Sequence, residues 1–490
     1  MRISELLKDI NLPAGADVEV RKLVLDSRQV TAGDVFLAVR GAASDGRQFM
    51  EAAIRQGAAA VIKDADSVTD AISFQNDIPI IPVQHLKSQI GFMAARFYGD
   101  PAKALRMIGV TGTNGKTSCT HFMAQILGAP CGVIGTLGSG LYGALGEVGL
   151  TTPDAVTLQK LLREFVDSGA GVVAMEVSSH SIDQGRVNGI EFEMGVFTNL
   201  TQDHLDYHGT MAAYADVKRR FIVGASTQHV IVNADDAIGK SWINELAGHK
   251  SVFAYSTGMP LSERDALKVP LIYTDNVELS PQGVQADVFT PWGNAHLSTP
   301  LIGRFNLSNV LAVLTAMCFY GLPFAEVLRR LSRLNPVPGR MQALTAVGKP
   351  LVVVDYSHTP DALYKALEAL RSHTAGQLIC VFGCGGDRDA TKRPIMAQIA
   401  EKLADRVIVT NDNPRHELPE VIASQIMQGF SRPEQVSVLL DRSKAIQNSI
   451  QCGTAGDCIL VAGKGAERYQ QVGDDKLHFD DVEEVKKYLA

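Results

Sequence analysis

Residues 107–118 constrain the fold of this chain more than any other stretch. The apolar run 105–110 predicts a strand that passes into a glycine-rich turn and then into a helix with Thr117 and Ser118 in its first turn. This order is typical of a phosphate-binding loop, because glycines let backbone N–H groups approach a polyphosphate and the helix N-terminus adds partial positive charge. A simple glycine turn would not explain a lysine and a threonine at the helix start.

The loop departs from the general G-x-x-x-x-G-K-[ST] pattern at one position. Val110 stands where the first glycine belongs, whereas Gly115, Lys116 and Thr117 keep their places. In such loops the lysine reaches the β- and γ-phosphates, and the hydroxyl binds Mg²⁺. We therefore predict a nucleotide site on a variant phosphate loop.

Length and composition indicate an ordinary globular protein. The 490 residues suit about three domains, and a net charge of −7 argues against a nucleic-acid surface. The N-terminus lacks the apolar segment of a signal peptide, and no apolar run approaches the ~18 residues of a membrane span. Seven scattered cysteines suit reduced thiols. We expect a cytoplasmic protein without a membrane span.

Alternating apolar runs and helical segments predict an α/β fold with three domains and largely parallel sheets. We expect a small N-terminal domain at 1–88, a central domain with the phosphate loop at 89–334, and a doubly wound, Rossmann-like domain at 335–490. Within the central domain, residues 252–300 predict an antiparallel excursion. Residues 335–340 contain two prolines and a glycine, so we expect a hinge about which the domains close on their ligands.

Polar residues of the central domain follow its predicted strands, where parallel sheets bind ligands. Glu176 ends an apolar strand, which indicates either a Mg²⁺ ligand beside nucleotide phosphates or a helix-capping acid. His204 lies in the His- and Asp-rich segment 197–208, which fits either a Mg²⁺ site or a capped surface helix. Lys218 lies in a basic segment that, taken alone, is typical of a solvated helix.

Three loops of the C-terminal domain also follow predicted strands. Arg388 lies in a glycine-rich loop, Arg415 follows the turn signal Asn413-Pro414, and Glu467 follows the last strand. An arginine held out by a rigid turn can bind a carboxylate through two parallel N–H groups. These side chains predict a pocket for a zwitterionic ligand.

Taken in chain order, these segments resemble the Mur ligase family, the ATP-dependent amide-forming enzymes of peptidoglycan synthesis. The resemblance covers the whole chain and rests on residues 111–117, 176–180, 198–204, 303–309 and 338–340. Other motifs are similar to the family branch that adds the third residue of the peptide: Asp26-Ser27-Arg28 with Gly33-Asp34, Thr151-Thr152-Pro153, Gln184 with Arg186, and Asp412-Asn413-Pro414-Arg415. The last motif is the family's mark for meso-diaminopimelate.

The resemblance implies a reaction and a set of residue roles. The reaction joins meso-diaminopimelate to UDP-N-acetylmuramoyl-L-alanyl-D-glutamate through an acyl phosphate, at the expense of ATP and with Mg²⁺. The implied ATP-binding residues are Gly112, Thr113, Asn114, Gly115, Lys116, Thr117, Ser118, Asn306, Arg340 and Asp355. The implied metal ligands are Thr117, Glu176, His204 and a carbamylated Lys218, and the catalytic set is Lys116, Glu176, His204 and Lys218.

The resemblance also implies two substrate sites. The UDP-sugar peptide would be bound by Leu25, Ser27, Ala42, Ala43 and Ser44 at its uridine end, and by Thr151, Thr152, Ser178, Gln184 and Arg186 at its peptide end. The meso-diaminopimelate would be bound by Arg388, Asp412, Asn413, Pro414, Arg415, Gly463 and Glu467. We expect a monomer whose ligands are all small molecules.

The sequence departs from the family pattern at two places, and two alternative functions remain open. Residues 42–44 are less polar than the family's loop often is, and Ala466 stands where relatives often carry histidine. One alternative is a lysine-adding or folylpolyglutamate-synthase-like ligase of the same family, against which Asp26-Ser27-Arg28 and Arg415 argue. The other is a P-loop regulatory ATPase, in which the release of phosphate from ATP would not depend on the UDP-dipeptide or the amino acid.

Overall fold

The computed structural model describes all residues except 9, 42, 43, 68, 129, 147, 148, 281 and 490, and leaves the side chain of Asp206 undescribed. The chain forms two compact units, Met1–Phe253 and Ala254–Ala490. None of the described helices is long and apolar enough to cross a lipid bilayer.

The first unit begins with a small five-stranded sheet. Its strands are β1 Leu23–Val24, β2 Val35–Ala38, β3 Ala60–Asp64, β4 Ser73–Gln75 and β5 Ile78–Val83, and its helices are α1 Ile3–Leu6, α2 Met50–Arg55 and α3 Leu86–Phe97. The strand order is β1-β2-β3-β5-β4, and all neighbours are parallel except β4 and β5.

Side-chain alternation along these strands builds two cores. Leu37 and Ile62 point to one face, where they pack with residues of α1 and α3. Phe36 and Val61, the alternate residues, point to the opposite face and pack with α2. Because successive residues of a strand face opposite sides, a continuous apolar run of this kind covers both faces of the sheet.

The rest of the first unit is a larger sheet that carries the phosphate loop. Its strands are β6 Arg106–Thr111, β7 Cys131–Gly135, β8 Gly138–Leu141, β9 Ala144–Gly146, β10 Val172–Glu176, β11 Phe192–Phe197 and β12 Thr227–Asn233. Its helices are α4 Lys116–Leu127, α5 Ala155–Asp167, α6 Ser179–Asp183, α7 Leu205–His208, α8 Met211–Val223 and α9 Ala237–Leu246.

In this sheet β6 lies between β10 and β11, in the order β12-β11-β6-β10-β7-β8-β9. The strands from β12 to β7 are parallel, and β8 and β9 continue antiparallel. The segments that follow β6, β10 and β11 therefore meet at one edge of the sheet, as the sequence predicts.

The second unit begins with an antiparallel layer. Its elements are β13 Ser251–Ser256, whose chain crosses the division between the units, α10 Leu261–Arg264, β14 Leu271–Ser280, β15 Gly283–Thr290, β16 Gly293–Thr299, α11 Arg304–Tyr320 and α12 Phe324–Leu331. Strand β13 pairs parallel with β14, whereas β14, β15 and β16 pair antiparallel. The antiparallel excursion predicted for residues 252–300 is therefore confirmed only from β14 onward.

The remainder is a six-stranded sheet and a hairpin. Its strands are β17 Gln342–Leu344, β18 Leu351–Asp355, β19 Leu378–Phe382, β20 Arg406–Val409, β21 Ser437–Val438, β22 Cys458–Ala462, β23 Tyr469–Val472 and β24 Asp475–His478. Its helices are α13 Pro360–Arg371, α14 Lys392–Leu403, α15 Pro419–Met427, α16 Arg442–Cys452 and α17 Asp481–Leu489.

This sheet is doubly wound, which confirms the predicted Rossmann-like fold. The strand order is β17-β18-β22-β19-β20-β21, and every pair except β17 and β18 is parallel. One face packs against α13, α14 and α15, and the other against α16 and α17. The hinge at 335–340 and the domain limits at 88 and 334 stay predictions.

Candidate active site

The phosphate loop connects the end of β6 to the start of α4. Gly112 has φ +149°, and a Cβ on it would overlap the hydroxyl of Thr198, so no other residue fits there without moving the neighbouring loop. The Lys116 ammonium folds back over the loop and donates to the carbonyls of Gly112 at 3.0 Å and Thr113 at 2.8 Å. The lysine that is predicted to bind phosphate is therefore hydrogen-bonded to the backbone of the loop itself.

The segment after β11 fastens this loop in place. The Thr198 hydroxyl donates to the Asn114 carbonyl at 2.6 Å, and the Asn114 N–H donates to the Asn199 side-chain oxygen at 2.9 Å. The Thr113 hydroxyl donates to the Thr201 carbonyl at 3.1 Å. These contacts pre-order the backbone that would bind phosphate.

Glu176 lies at the end of β10 and directly contacts the phosphate helix. Its side chain is buried, with 1% of the residue exposed, and it accepts a hydrogen bond from the Thr117 hydroxyl at 2.9 Å. The N–H and the hydroxyl of Thr136 donate to the same carboxylate at 2.8 and 3.3 Å. A carboxylate and a hydroxyl side by side offer the hard oxygen ligands that Mg²⁺ prefers, so the residues present fit this ion.

The alternative role of Glu176 as a helix cap is wrong. The N-cap of α6 is Ser178, whose hydroxyl accepts from the Ser181 N–H at 3.2 Å.

Lys218 is buried, which makes the solvated-helix interpretation wrong for this residue. Only 1% of it is exposed, and its ammonium donates to the Gly112 carbonyl at 2.9 Å. It also lies 4.7 Å from the centre of the Tyr214 ring. Burial, together with the nearby Lys116 ammonium, holds the pKa of Lys218 well below its usual range.

His204 borders the same tyrosine from the N-terminus of α7. Its ring centre lies 6.2 Å from that of Tyr214 and 4.8 Å from that of His180, and 45% of its side chain is exposed. Over the described part of the chain, no group of three or more His, Cys, Asp or Glu residues is arranged to hold a metal ion. A metal role for His204 with Lys218 stays a prediction.

The candidates for the peptide end of the acceptor cluster beside Glu176. The Thr152 hydroxyl donates to the Glu176 carbonyl at 2.8 Å and accepts from the Ser178 N–H at 3.2 Å. The Arg186 guanidinium donates to the Thr152 carbonyl at 2.8 Å and to the Gln184 side-chain oxygen at 3.0 Å. The structure therefore brings these four residues together.

Two residues of this region were missed by the sequence analysis. The Tyr207 hydroxyl accepts from the Gln184 amide at 3.3 Å and donates to the Asp183 carboxylate at 2.8 Å, and burial raises the pKa of Tyr207. The Thr136 and Thr151 hydroxyls lie 3.1 Å apart. Tyr207 lies in the His- and Asp-rich segment 197–208, which was a signal for this region, whereas Thr136 belongs to no local motif and is identified only by its spatial position.

The candidates for the uridine end lie in loops of the small sheet. Ser27 opens the short turn Ser27–Gln29, whose cap Asp26 accepts from the Arg28 N–H at 3.0 Å and pairs with the Arg28 guanidinium at 2.7 Å. These contacts are turn chemistry, and a binding role for Ser27 stays a prediction. The other candidates are Leu25, which is half-buried, Ser44, which is exposed, and Ala42 and Ala43, which lie outside the described residues.

Asn306 is a buried residue of α11. Its amide donates to the Ile302 carbonyl at 2.9 Å, and its oxygen accepts from the Asn309 side chain at 3.1 Å. These bonds fix the start of the helix, and the predicted contact with nucleotide remains untested.

Asp355 and Arg340 lie at the carboxyl end of β18. The Asp355 carboxylate accepts from the Met341 N–H at 2.6 Å and from the Ser357 hydroxyl, and burial raises its pKa. The Arg340 guanidinium lies over the Tyr356 ring, 4.8 Å from its centre. The two predicted nucleotide residues are thus neighbours at one strand end.

Arg415 is held in an unusual backbone conformation, with φ +49°. Its N–H donates to the Gln471 carbonyl at 3.1 Å, and its carbonyl accepts from the Gly473 N–H at 2.7 Å, so hairpin β23–β24 fixes it on both sides. Its guanidinium donates to the Gly386 carbonyl at 2.7 Å. The side chain is therefore pre-oriented, as the turn signal Asn413-Pro414 predicts.

The loop that carries Arg388 packs directly on the loop that carries Arg415. The Gly386 N–H donates to the Asn413 carbonyl at 2.9 Å, and a Cβ on Gly386 would overlap the Pro414 carbonyl. Arg388 itself is exposed.

Glu467 contacts the Asp412–Arg415 loop through Asn413. The Asn413 amide donates to the Glu467 carboxylate at 2.8 Å. Gly463, before Glu467, donates its N–H to the Asp355 carbonyl at 3.1 Å. The structure thus joins the loops after β18, β20 and β22.

Sequence reasoning assigned no role to two buried cations of this pocket. Lys464 is 0% exposed and donates to Asn413 and Glu467 at 3.0 and 3.2 Å. Arg393, also buried, pairs with Glu417 at 2.8 Å and donates to the Gly385 carbonyl at 3.1 Å. The Gly-Lys-Gly sequence after a strand was a signal for Lys464, whereas Arg393 lies in a helix without one.

The fold and these strand-end loops define an α/β protein with a phosphate loop, and family models identify it as a ligase. They match residues 19–98 (Mur ligase family, catalytic domain), 110–317 (Mur ligase middle domain) and 339–465 (Mur ligase, glutamate ligase domain). The chain belongs to the Mur ligase family.

Individual relatives give a more specific comparison than the family models. UDP-N-acetylmuramoyl-L-alanyl-D-glutamate--2,6-diaminopimelate ligase of Coxiella burnetii is 46% identical over 490 residues, which cover 99% of each chain. A solved structure of a ligase of that name has a TM-score of 0.74 at 34% identity and covers 100% of this chain and 98% of its own. MurF ligase of Thermotoga maritima, solved in complex with ADP, shares the fold, with a TM-score of 0.60 at 18% identity over 98% of each chain.

Proposed function

We propose that this chain is the ATP-dependent ligase that adds meso-diaminopimelate to UDP-N-acetylmuramoyl-L-alanyl-D-glutamate in peptidoglycan precursor synthesis. The reaction is supported by sequence similarity, over nearly the full length of the chain, to UDP-N-acetylmuramoyl-L-alanyl-D-glutamate--2,6-diaminopimelate ligases. The observation that carries the choice of amino acid is Arg415, whose backbone and guanidinium are both fixed at the edge of a loop cluster. A fixed guanidinium favours a ligand with a second carboxylate, which L-lysine lacks.

The phosphate loop is proposed to hold ATP. Its backbone N–H groups, the N-terminus of α4 and the Lys116 ammonium would bind the β- and γ-phosphates. Thr117 and Glu176, in contact at 2.9 Å, would hold Mg²⁺ together with phosphate oxygens. Bound Mg²⁺ supplies charge neutralisation during phosphoryl transfer.

Lys218 is proposed to carry a carbamate and to bind a second Mg²⁺ with His204. Carbamylation joins an unprotonated amine to CO₂ and releases one proton. The lowered pKa of Lys218 favours that unprotonated form. The carbamate would replace a buried amine with an anionic oxygen ligand, whose charge a Mg²⁺ ion beside the phosphates would neutralise.

The reaction is proposed to pass through an acyl phosphate. The D-glutamyl carboxylate takes the γ-phosphoryl group and ADP is formed; the deprotonated amine of diaminopimelate then attacks the acyl carbon, and phosphate leaves. Thr152, Ser178, Gln184 and Arg186 would hold the peptide end of the acceptor beside Glu176. Lys116 would stabilise charge on the moving phosphoryl group.

The chain is further proposed to act as a cytoplasmic monomer that closes about residues 335–340. Consumption of ATP supports the compartment, and the proline- and glycine-containing segment supports the hinge.

An amino-acid panel tests the proposed function. The enzyme is incubated with ATP, Mg²⁺, the UDP-dipeptide and one amino acid at a time, and the UDP-linked product is read by mass while ADP is quantified. We expect a product with meso-diaminopimelate and little with L-lysine. A lysine product would indicate the lysine-adding ligase, and ADP formation independent of both substrates would indicate a regulatory ATPase.

A further inference from the structure

We propose that Lys464 is a positioning residue of the amino-acid pocket, which fixes the Glu467 carboxylate and the Asn413 amide so that Glu467 can bind an ammonium group. The inference rests on the proposed function, because it takes Glu467 as a contact of the amino-acid substrate.

Lys464 is a fully buried cation whose polar contacts belong to the pocket. Its residue exposure is 0%, and its ammonium donates to Asn413 Oδ1 at 3.0 Å and to Glu467 Oε2 at 3.2 Å. The Glu467 side chain, by contrast, is 25% exposed. A buried ammonium is costly unless it is paired and hydrogen-bonded, so Lys464 restrains the position of its carboxylate partner.

The same ammonium sets the orientation of the Asn413 amide. Asn413 Oδ1 accepts from Lys464 and also from the Gln471 N–H at 2.9 Å. A flipped amide would present its NH₂ group to these two donors. The amide nitrogen therefore faces Glu467, to which it donates at 2.8 Å.

These bonds give the two oxygens of the Glu467 carboxylate different surroundings. Oε2 accepts from both Asn413 and Lys464, whereas no donor among the described residues reaches Oε1. A carboxylate fixed through one oxygen presents the other in a defined direction. Without Lys464 the carboxylate could rotate and the Asn413 amide could flip, so binding of the amino acid should weaken while binding of nucleotide should not.

The first test is Lys464→Met, which removes the ammonium but keeps an unbranched apolar side chain. We expect KM for meso-diaminopimelate to rise about 10- to 100-fold, the range of a lost charge-assisted hydrogen bond. KM for ATP and for the UDP-dipeptide should stay within about twofold. Lys476→Met is the matched control, because Lys476 is an exposed lysine whose ammonium lies over the same Tyr469 ring as that of Lys464.

A double-mutant cycle with Glu467→Gln separates positioning from general destabilisation. If Lys464 acts through Glu467, Lys464→Met should add little in the Glu467→Gln background, and Lys464→Arg should recover part of the amino-acid affinity. Independent, multiplying effects, equal rises in all three KM values, or an unchanged KM for diaminopimelate would overturn the proposal.

Thermal unfolding decides the matter if Lys464→Met does not fold. Glu467→Gln leaves the buried ammonium without its carboxylate and should lower the unfolding midpoint by several degrees, whereas an uncoupled, partly exposed carboxylate would leave the midpoint unchanged. An unchanged midpoint contradicts the pairing. A wild-type enzyme that makes no diaminopimelate product would instead refute the proposed function, and the midpoint would still test the pairing.

Discussion

Replacement of Arg415 by alanine is the most direct test of how the enzyme selects its amino acid. Arg415 is half-buried, and hairpin β23–β24 fixes its backbone. Its Nη1 atom is occupied by the Gly386 carbonyl at 2.7 Å. Nη2 and Nε have no partner among the described residues, so this edge of the guanidinium is the one that a substrate carboxylate can meet.

The size of the effect follows from this geometry. A charge-assisted hydrogen bond is worth about 1.5–3 kcal/mol. Two such bonds in a fork, reduced for a half-buried site, give about 3–4 kcal/mol. At 1.36 kcal/mol for each factor of ten, Arg415→Ala should lower kcat/KM for meso-diaminopimelate by about 10² to 10³.

The assay compares kcat/KM for meso-diaminopimelate and L-lysine in wild type, Arg415→Ala and Arg415→Lys. The lysine variant should keep part of the preference, because it retains the charge but not the fork. Arg432→Ala is the control, since this exposed arginine lies in the same unit. If Arg415→Ala keeps the full preference, or if KM for ATP rises as much as KM for diaminopimelate, the assignment of this arginine is wrong.

Three further predictions concern other parts of the site. Lys218→Ala should abolish turnover and preserve the circular dichroism spectrum; wild-type-like activity under CO₂-free conditions would contradict a carbamate role. Tyr207→Phe, which releases the Gln184 amide, should raise KM for the UDP-dipeptide about 3- to 10-fold with ATP unaffected, and an unchanged KM would refute this coupling. Asp355→Asn should raise the unfolding midpoint at pH 7–8 but not near pH 4. Burial raises the pKa of Asp355 in the folded protein. The free energy by which protonated Asp355 stabilises the fold is therefore fully present below the unfolded pKa and is lost as pH rises through the folded pKa. A difference in midpoint that is independent of pH would contradict the argument.

The sheets could be predicted well because most strands are apolar runs buried on both faces. The apolar runs 105–110, 172–177 and 378–382 each predict a strand, and they closely match β6, β10 and β19. The runs at 20–25 and 436–439 are longer than the strands they form, β1 and β21. Both are edge strands with a single neighbour, so apolar residues extend past the point where pairing ends.

The burial of Lys218 was within reach of the sequence. The buried positions of α8 include Tyr214, Val217, Lys218 and Phe221, which follow the helical spacing of one face. Because arginines 219 and 220 are adjacent, the segment was interpreted as a solvated helix. The helical periodicity of its apolar residues nevertheless places Lys218 on the buried face.

Other parts of the site could not be predicted from local sequence. Lys464 acquires its partner Asn413 from a loop 51 positions away, and Tyr207 meets Gln184 across 23 positions. Neither pair has a spacing that a helix or strand would impose. Such contacts depend on which strand ends become neighbours, and that information lies in the sheet order.

The contacts of hairpin β23–β24 with the loop at 412–415 bear on how amino-acid specificity could be exchanged between family members. Gln470 donates to the Asp412 carbonyl at 2.7 Å, and Gln471 binds both Asn413 and Arg415. A chimera that transplants only the loop would set a foreign backbone against this hairpin, whereas a chimera that moves both segments keeps the mutual hydrogen bonds. The smallest transferable module for amino-acid choice is therefore discontinuous in sequence.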